Sequence, residues 1–340
     1  MRAVVLEAAG RLTIQHRPGP GSPRAGEVTV RTLRVGVCGT DLHAVNGNQP
    51  MMRYPVVLGH ELAVEITALG AGTQGMGLAV GDRCTAIPYL NCGTCGACRQ
   101  GKTNACTSLS VLGVHEDGGL RDTFNLPARL LLPANDLALD QLALVEMLAI
   151  GEHAVARAAV TPEDTVLVIG AGPIGLGVIA AARLLSSRVL AADLSSQRRD
   201  FLTALGTADV LAPTGPLDEQ LRAHLDGELP TVILDATGHA GSMEAALSLV
   251  TPGGRLVLVG HTKLTLGFDN PTLHRRELSI LASRNATRPD FDNVLTHLRS
   301  GAIDVAPWIT TRVNPDELVR DLPRWAAGPS EVVKAVVTFA

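Results

Sequence analysis

The chain has 340 residues, enough for about two domains of ordinary size. Hydrophobic residues make up 46% and charged residues 18%, which supplies folded cores and excludes extensive disorder. The net charge is −4 and the basic residues are scattered, which argues against nucleic-acid binding, and no apolar run reaches the roughly 18 residues of a membrane span. The N-terminus has no secretory signal pattern, so we expect a cytoplasmic protein.

The first part of the chain, residues 1–150, is predicted to consist of short β-strands and loops. The runs 27–34 and 63–67 are rich in β-prone residues, and a Pro/Gly cluster at 18–23 marks a loop. The scarcity of lysine, present only as Lys102, Lys263 and Lys334, is interpreted as genome composition without functional meaning.

After about residue 150 the pattern changes to strands of nearly continuous Val, Ile and Leu that alternate with helical stretches. The predicted strands are 165–169, 188–192, 231–234 and 255–259; after about residue 282 the pattern relaxes, and a separate β-prone run follows at 332–339. Helices are predicted to begin near 174 and 196 and to cover about 240–250 and 290–299. Alternation of this kind predicts a doubly wound α/β domain with a parallel sheet covered on both faces.

A second feature of the first part is a set of metal-binding residue types, namely Cys38, His60, Glu61 and Glu146. One thiolate, one imidazole and one or two carboxylates suit a catalytic zinc that keeps an open or exchangeable position. Taken singly, Cys38 is better explained as a buried core thiol and His60 as a loop histidine with satisfied hydrogen bonds. The glycine run at 170–175, which predicts a dinucleotide cofactor, favours the metal interpretation, because oxidation of an alcohol by NAD needs a group that holds the alkoxide.

Four cysteines in one short loop predict a second, structural zinc. Cys92, Cys95, Cys98 and Cys106 follow the spacing C-x2-C-x2-C-x7-C. Each thiolate can occupy one corner of a tetrahedron at about 2.3 Å from zinc, and four thiolates leave no position for a substrate. One or two disulfides are the alternative, but they need an oxidising compartment, and this spacing in a cytosolic chain favours metal.

The run at 170–175 reads G-x-G-x-x-G directly after a predicted strand and before a predicted helix, which is the context of a dinucleotide-binding turn. The cofactor-binding candidates in it are Gly170, Gly172, Pro173, Ile174 and Gly175. Asp193 ends the next predicted strand, where an acid accepts hydrogen bonds from the ribose hydroxyls of NAD and repels the extra phosphate of NADP. Arg198 and Arg199 lie close by and temper this preference for NAD.

Several parts of the chain match one known family: the segments 36–43, 59–61 and 81–83, the four-cysteine loop, Glu146 and the glycine run. In these parts the chain resembles the zinc-dependent medium-chain dehydrogenases and reductases of the alcohol, sorbitol and threonine dehydrogenase type. The resemblance implies a doubly wound Rossmann sheet inserted in a GroES-like catalytic domain with a partly open β-barrel. It places the catalytic domain at 1–150 and 286–340, with the zinc loop at 91–106, and the NAD-binding domain at 151–285.

The resemblance also implies roles for single residues. The catalytic zinc is then held by Cys38, His60, Glu61 as an exchangeable ligand, and Glu146 directly or through water. Thr40 takes the substrate proton and His43 passes it to solvent. Met147 departs from the family, since many relatives have proline after this glutamate. NAD, two zinc ions per subunit and a homodimer or homotetramer are the implied cofactors and assembly.

Three further segments, 47–55, 110–119 and 283–291, resemble the bacterial L-galactonate 5-dehydrogenase branch of the family. This resemblance implies oxidation of a secondary alcohol of a sugar acid to a keto acid. His115, Arg284 and Asn285 are the substrate-binding candidates, and the guanidinium of Arg284 suits a carboxylate. A cofactor-phosphate contact or a solvated side chain is the alternative for Arg284. Polyols, L-threonine and a non-catalytic NAD and zinc sensor remain as alternatives for the function.

Overall fold

The fold is taken from a computed structural model, and the structure describes residues 1–49, 52–186, 188–328 and 331–339. The strands, in chain order, are β1 (Arg2–Ala8), β2 (Arg11–His16), β3 (Glu27–Gly36), β4 (Val56–Val57), β5 (Glu61–Leu69), β6 (Arg83–Ala86), β7 (Tyr89–Leu90), β8 (Ser110–Val111), β9 (Thr123–Pro127), β10 (Leu131–Pro133), β11 (Thr165–Ile169), β12 (Arg188–Ala192), β13 (Asp209–Leu211), β14 (Val232–Asp235), β15 (Arg255–Leu258), β16 (Ser279–Ala282), β17 (Ile309–Val313) and β18 (Lys334–Thr338). The α-helices are α1 (Gly39–Val45), α2 (Gly96–Arg99), α3 (Leu139–Ala158), α4 (Pro173–Arg183), α5 (Ser196–Leu205), α6 (Leu217–His224), α7 (Ala240–Leu249), α8 (Asn270–Arg275), α9 (Arg288–Arg299) and α10 (Pro315–Ala326).

The chain divides into two compact units, one formed by residues 1–146 with 294–340 and the other by residues 147–293. Helices α3 and α9 contain the two points of division. No helix of the described residues is long and apolar enough to cross a membrane.

The first unit contains mainly antiparallel sheets. A seven-stranded sheet has the order β10-β6-β5-β3-β18-β17, with β9 also paired to β3, and a three-stranded sheet has the order β2-β1-β4. Strand β3 is the longest and lies between β5 and β18, so it carries much of the pairing in this sheet. Its neighbours bring residues from distant parts of the sequence to one end of the sheet.

Helix α3 corrects the expectation of a purely β-rich first part, because this 20-residue helix begins at Leu139. Its residues 142–149 are buried on every side. A helical segment that is buried on every side has no polar face. Its sequence therefore lacks the 3.6-residue periodicity by which an amphipathic helix is recognised.

The second unit contains a six-stranded parallel sheet with the order β13-β12-β11-β14-β15-β16. Numbered in chain order, the strands follow the order 3-2-1-4-5-6, which is that of a doubly wound dinucleotide-binding fold. Successive strands are added on one side of β11 and then on its other side, so the strand order reverses between β11 and β14. The predicted parallel sheet is confirmed, and β11 and β12 have the predicted bounds. Their nearly continuous apolar sequence follows from burial on both faces.

Candidate active site

The end of β3 and the start of β5, both in the first unit, bring three candidate ligands of the catalytic metal together. Gly36, the last residue of β3, is paired with Glu61, the first residue of β5, and on its other side with Val336 of β18. A Cβ on Gly36 would lie 1.9 Å from Oε2 of Glu61, so any larger residue at this position would displace that carboxylate. Cys38 follows two residues later, and His60 directly precedes Glu61.

The donor atoms of Cys38, His60 and Glu61 lie within 4.8 Å of one another, and all three residues are buried. The backbone N–H of Cys38 donates to Oδ2 of Asp41 at 2.9 Å, and the N–H of Asp41 donates to the carbonyl of Cys38 at 3.0 Å. This reciprocal cap fixes Cys38 at the start of α1. The imidazole of His60 contacts the thiol of Cys38, and its Nδ1, which is buried, has no hydrogen-bond partner.

Glu146 lies outside this set of mutually close donors, although it belongs to the same buried region. One of its oxygens accepts a hydrogen bond from the hydroxyl of Tyr89, while the other, Oε2, is buried without a hydrogen-bond partner. Such an atom has a free acceptor position, which suits an indirect contact with a metal through water. The contact of Glu146 with Tyr89 was not expected from the sequence.

Lys334 is the functional-site residue that sequence reasoning missed. Its Nζ lies 2.6 Å from Oε1 and 2.5 Å from Oε2 of Glu61, and it donates to the carbonyl of Val37 at 2.9 Å. The interpretation of the lysines as mere genome composition is wrong for this one. Lysine is almost never fully buried unless it is paired, and here the pair joins β18 to β5 beside the donor set.

The electrostatics of this region favour a bound cation. Burial raises the pKa of Asp41 and of Glu146. Burial alone would lower the pKa of His60, but the neighbouring Cys38, Asp41 and Glu146 raise it well above its usual range. The imidazole therefore lies among groups whose charge favours a cation, and a divalent metal ion bound here would be stabilised by the same groups. The donor set and its surroundings thus fit zinc.

Thr40 and His43, the predicted proton-transfer residues, both lie on α1. They are three residues apart, which places them on one face of the helix. Thr40 is half-buried, and its Oγ1 lies 3.7 Å from Sγ of Cys38, whereas His43 is exposed. The pair therefore extends from the donor set to solvent.

The four cysteines of the loop are also brought together. Their sulfurs lie within 4.8 Å of one another, and those of Cys92 and Cys106 are 3.5 Å apart. Four sulfurs at about 2.3 Å from a tetrahedral ion are separated by about 3.8 Å, so the loop fits zinc. All six cysteines of the chain are free, which does not support the disulfide alternative.

Backbone N–H groups prepare two of these thiols for metal binding. The N–H of Thr94 is the largest of several contributions that lower the pKa of Cys92 to about 7. The N–H of Cys98 leads the contributions that lower the pKa of Cys95 to about 5. Thiolates are the metal-binding form of cysteine, so these amides stabilise the form that zinc requires.

The predicted dinucleotide turn in the second unit connects β11 to α4. Gly170 has φ +96°, and a Cβ on Gly175 would lie 1.8 Å from the carbonyl oxygen of Gly170. A Cβ on Gly172, by contrast, would meet nothing within 4 Å. The first and third glycines thus satisfy the protein's own packing, and the second leaves open space in which a pyrophosphate fits. Pro173 and Ile174 form the first turn of α4.

Asp193 ties this turn to the end of β12. Its Oδ2 accepts from the N–H of Ala171 and its Oδ1 from the N–H of Ser195, each at 2.7 Å. A carboxylate has about four acceptor positions, so two remain for ribose hydroxyls. Burial lowers the pKa of the half-buried Arg198, while the charge of Asp193 raises it, which places the two side chains close together.

The three substrate candidates have different surroundings. Nδ1 of His115 accepts a hydrogen bond from the N–H of Val111 at 3.0 Å, so one ring nitrogen holds the local turn. Arg284 is exposed, and Asn285 is half-buried with φ +50°. Contact of these residues with a substrate stays a prediction.

Comparison with known proteins agrees with this geometry. Residues 24–136 match the alcohol dehydrogenase GroES-like domain, and residues 173–300 match the zinc-binding dehydrogenase domain. L-galactonate-5-dehydrogenase of Escherichia coli (strain K12) is 38% identical over 340 residues, which covers 100% of this chain and 99% of that protein. L-idonate 5-dehydrogenase of Vitis vinifera is 33% identical over 299 residues, or 84% of this chain and 80% of the relative.

Among solved structures, the alcohol dehydrogenase RspB of Escherichia coli CFT073, complexed with the cofactor NADH, is similar with a TM-score of 0.92 and 31% identity. The match covers 100% of this chain and 99% of that one. The chain therefore belongs to the zinc-type medium-chain alcohol dehydrogenases, and the predicted family and fold class are confirmed. Its enzyme class is that of zinc-dependent oxidoreductases that act on alcohols.

Proposed function

We propose that this protein is an NAD-dependent zinc dehydrogenase that oxidises a secondary alcohol of a sugar acid similar to L-galactonate, giving a keto acid. The observation that carries the dehydrogenase part is the buried donor set of Cys38, His60 and Glu61. The sugar-acid part rests on the names of two relatives, L-galactonate-5-dehydrogenase and L-idonate 5-dehydrogenase. The names of both relatives indicate a small-molecule substrate. The cytoplasmic location and the homo-oligomeric state stay predictions.

The first unit supplies the groups that act on the substrate hydroxyl. Cys38 and His60 would hold the zinc, Glu61 would serve as an exchangeable ligand, and Glu146 would complete the shell directly or through water. When bound, zinc acts as a Lewis acid that lowers the pKa of the substrate hydroxyl. Thr40 accepts the hydroxyl proton, and the exposed His43 passes it to solvent, which the position of both on one helix face supports.

The second unit supplies the cofactor site. Gly172 permits the close approach of the pyrophosphate to the N-terminus of α4, and Asp193 accepts from the ribose hydroxyls. NAD held by these residues would supply the hydride acceptor for oxidation of the carbinol carbon. In domain terms, we assign catalysis to residues 1–150 with 286–340 and NAD binding to residues 151–285. The four-cysteine loop holds the second zinc, which stabilises the loop and takes no part in the reaction.

The proposal is tested by following NADH absorbance with L-galactonate, sorbitol and L-threonine as substrates. L-Galactonate is expected to have a kcat/KM at least about tenfold above the other two, because sorbitol leaves a carboxylate-binding group unpaired and L-threonine lacks the hydroxyl groups of the sugar chain. NAD is expected to be preferred to NADP. Faster turnover of sorbitol or L-threonine would contradict the proposed substrate class, while the assignment as a dehydrogenase would stand. Absence of turnover with every alcohol would favour the sensor alternative.

A matched pair of glycine variants tests the cofactor turn. Gly172→Ala is expected to leave the melting temperature nearly unchanged and to weaken NADH binding about tenfold or more, because its Cβ would enter only the space proposed for the pyrophosphate. Gly175→Ala is expected to lower the melting temperature, since its Cβ would overlap the carbonyl of Gly170. Fluorescence titration of NADH and thermal unfolding measure both quantities. Unchanged NADH affinity in Gly172→Ala would contradict the proposed site.

A further inference from the structure

Asp235 is a fully buried carboxylate at the carboxyl end of the parallel sheet, with no exposed surface. It is the last residue of β14 and is paired in register with Ile169, the residue directly before the glycine turn. Its Oδ1 accepts from the N–H of Thr237 at 2.9 Å and from the Oγ1 of the same residue at 2.6 Å. Its Oδ2 accepts from Oγ of Ser242 at 2.6 Å. The carboxylate thus spans the loop from β14 to α7.

This loop forms one side of the glycine turn. A Cβ on Gly170 would lie 3.1 Å from Cγ2 and 3.2 Å from the backbone N of Thr237. The N–H of Ala236 donates to the carbonyl of Ile169 at 2.8 Å. Thr237 therefore packs directly against the first glycine of the turn, and its position depends on the bonds that Asp235 accepts.

We propose that Asp235 is a positioning residue for the dinucleotide: it fixes Thr237 against Gly170 and thereby keeps the turn in the shape that receives the pyrophosphate. This inference rests on the proposed function, because it assumes that the turn binds NAD. Asp235 acts only through Thr237 and Ser242. Its loss is expected to weaken cofactor binding and to leave the chemical step unchanged once the cofactor is saturating.

A purely structural role is the competing explanation, and the same sheet supplies a control for it. Asp164 is also a buried carboxylate, and it accepts from Oγ1 of Thr231 at 2.6 Å and from the guanidinium of Arg255 at 2.5 Å. Asp164 directly precedes β11, and Thr231 directly precedes β14. The two carboxylates therefore brace opposite ends of the same two strands, and only Asp235 is at the end with the glycine turn.

The experiment compares Asp235→Ala, Asp235→Asn and Asp164→Ala in thermal unfolding, NADH titration and steady-state kinetics. Both alanine variants are expected to melt at lower temperature, since each leaves buried donors unpaired. Asp235→Ala is expected to raise the Kd for NADH and the KM for NAD about tenfold, with kcat within about twofold of wild type. Asp164→Ala is expected to change the Kd by less than about twofold. Asp235→Asn is expected to restore most of the affinity, because its amide can accept from Thr237 and donate to Ser242.

Equal Kd values in Asp235→Ala and Asp164→Ala, at comparable losses of melting temperature, would overturn the inference and leave the proposed function standing. A wild-type protein that binds neither NADH nor NADPH would overturn both. If Asp235→Ala does not fold, Thr237→Val carries the test, because it removes only the hydroxyl and keeps the backbone N–H and a side chain of similar shape. A severalfold rise in its Kd for NADH supports the inference, and an unchanged Kd overturns it.

Discussion

Replacing Cys38 with Ala is expected to lower turnover at least about a thousandfold. The metal stabilises charge that develops in the transition state, so its loss raises the activation free energy by several kcal/mol. The zinc content is expected to fall from about two ions to about one per chain, since three donors with one removed no longer form a tight site. NADH binding, which depends on the second unit, is expected to stay within about twofold of wild type. Metal analysis, initial rates and NADH titration measure the three quantities.

Cys84 provides the matched control. It is the other buried cysteine of the first unit outside the four-cysteine loop, and burial raises its pKa to about 12, so it stays a neutral thiol. Cys84→Ala removes the same atoms from the same kind of environment but no metal donor. It is expected to keep two zinc ions and nearly full turnover, with a small loss of stability from the cavity. Equal zinc contents and rates in Cys38→Ala and Cys84→Ala would contradict the metal assignment.

The features that the sequence predicts correctly are those with local signals. The strand β11, the glycine turn and the helix α4 follow one another within 19 residues, from Thr165 to Arg183, and each has its own pattern. The cysteine loop is similarly compact. In both cases spacing along the chain is enough to state which groups converge.

The features that could not be predicted depend on register between distant segments. Lys334 and Glu61 are separated by 273 residues and meet because β3 pairs with both β5 and β18. Nothing near position 334 in the sequence indicates a charged partner. Glu146 was recognised as a candidate, but its contact with Tyr89, 57 residues away, depends on the packing of α3, which has no amphipathic pattern. A single lysine inside an apolar β-run is the sequence signal that such a pair leaves.

The ion pair of Lys334 with Glu61 leads to the second large effect. Both side chains are buried, with 1% and 0% of their surface exposed. Lys334→Met keeps the length of the side chain but leaves the carboxylate of Glu61 without its cation, and such a change costs about 3–5 kcal/mol of unfolding free energy. The carbonyl of Val37 also loses its donor. A large drop in the urea midpoint is therefore expected after the catalytic zinc has been removed, when Glu61 has no metal to bind.

The exposed ion pair of Arg299 with Asp136 in the same unit is the first control, because 42% and 57% of these side chains are exposed. Arg299→Met is expected to cost less than about 1 kcal/mol. The double variant Lys334→Met/Glu61→Gln is the second control. It removes both charges and is expected to be more stable than Lys334→Met alone, which gives a coupling free energy of several kcal/mol in the double-mutant cycle.

The double variant also separates stability from metal binding. Glu61→Gln removes an exchangeable ligand, so zinc should leave to a chelator faster in the double variant than in wild type, although the fold is largely recovered. In Lys334→Met, Glu61 is released from its cation and is expected to bind the metal more strongly, which slows zinc release. The two variants thus shift zinc release in opposite directions from wild type. If Lys334→Met were as stable as Arg299→Met and released zinc at the wild-type rate, Lys334 would have no part in controlling Glu61.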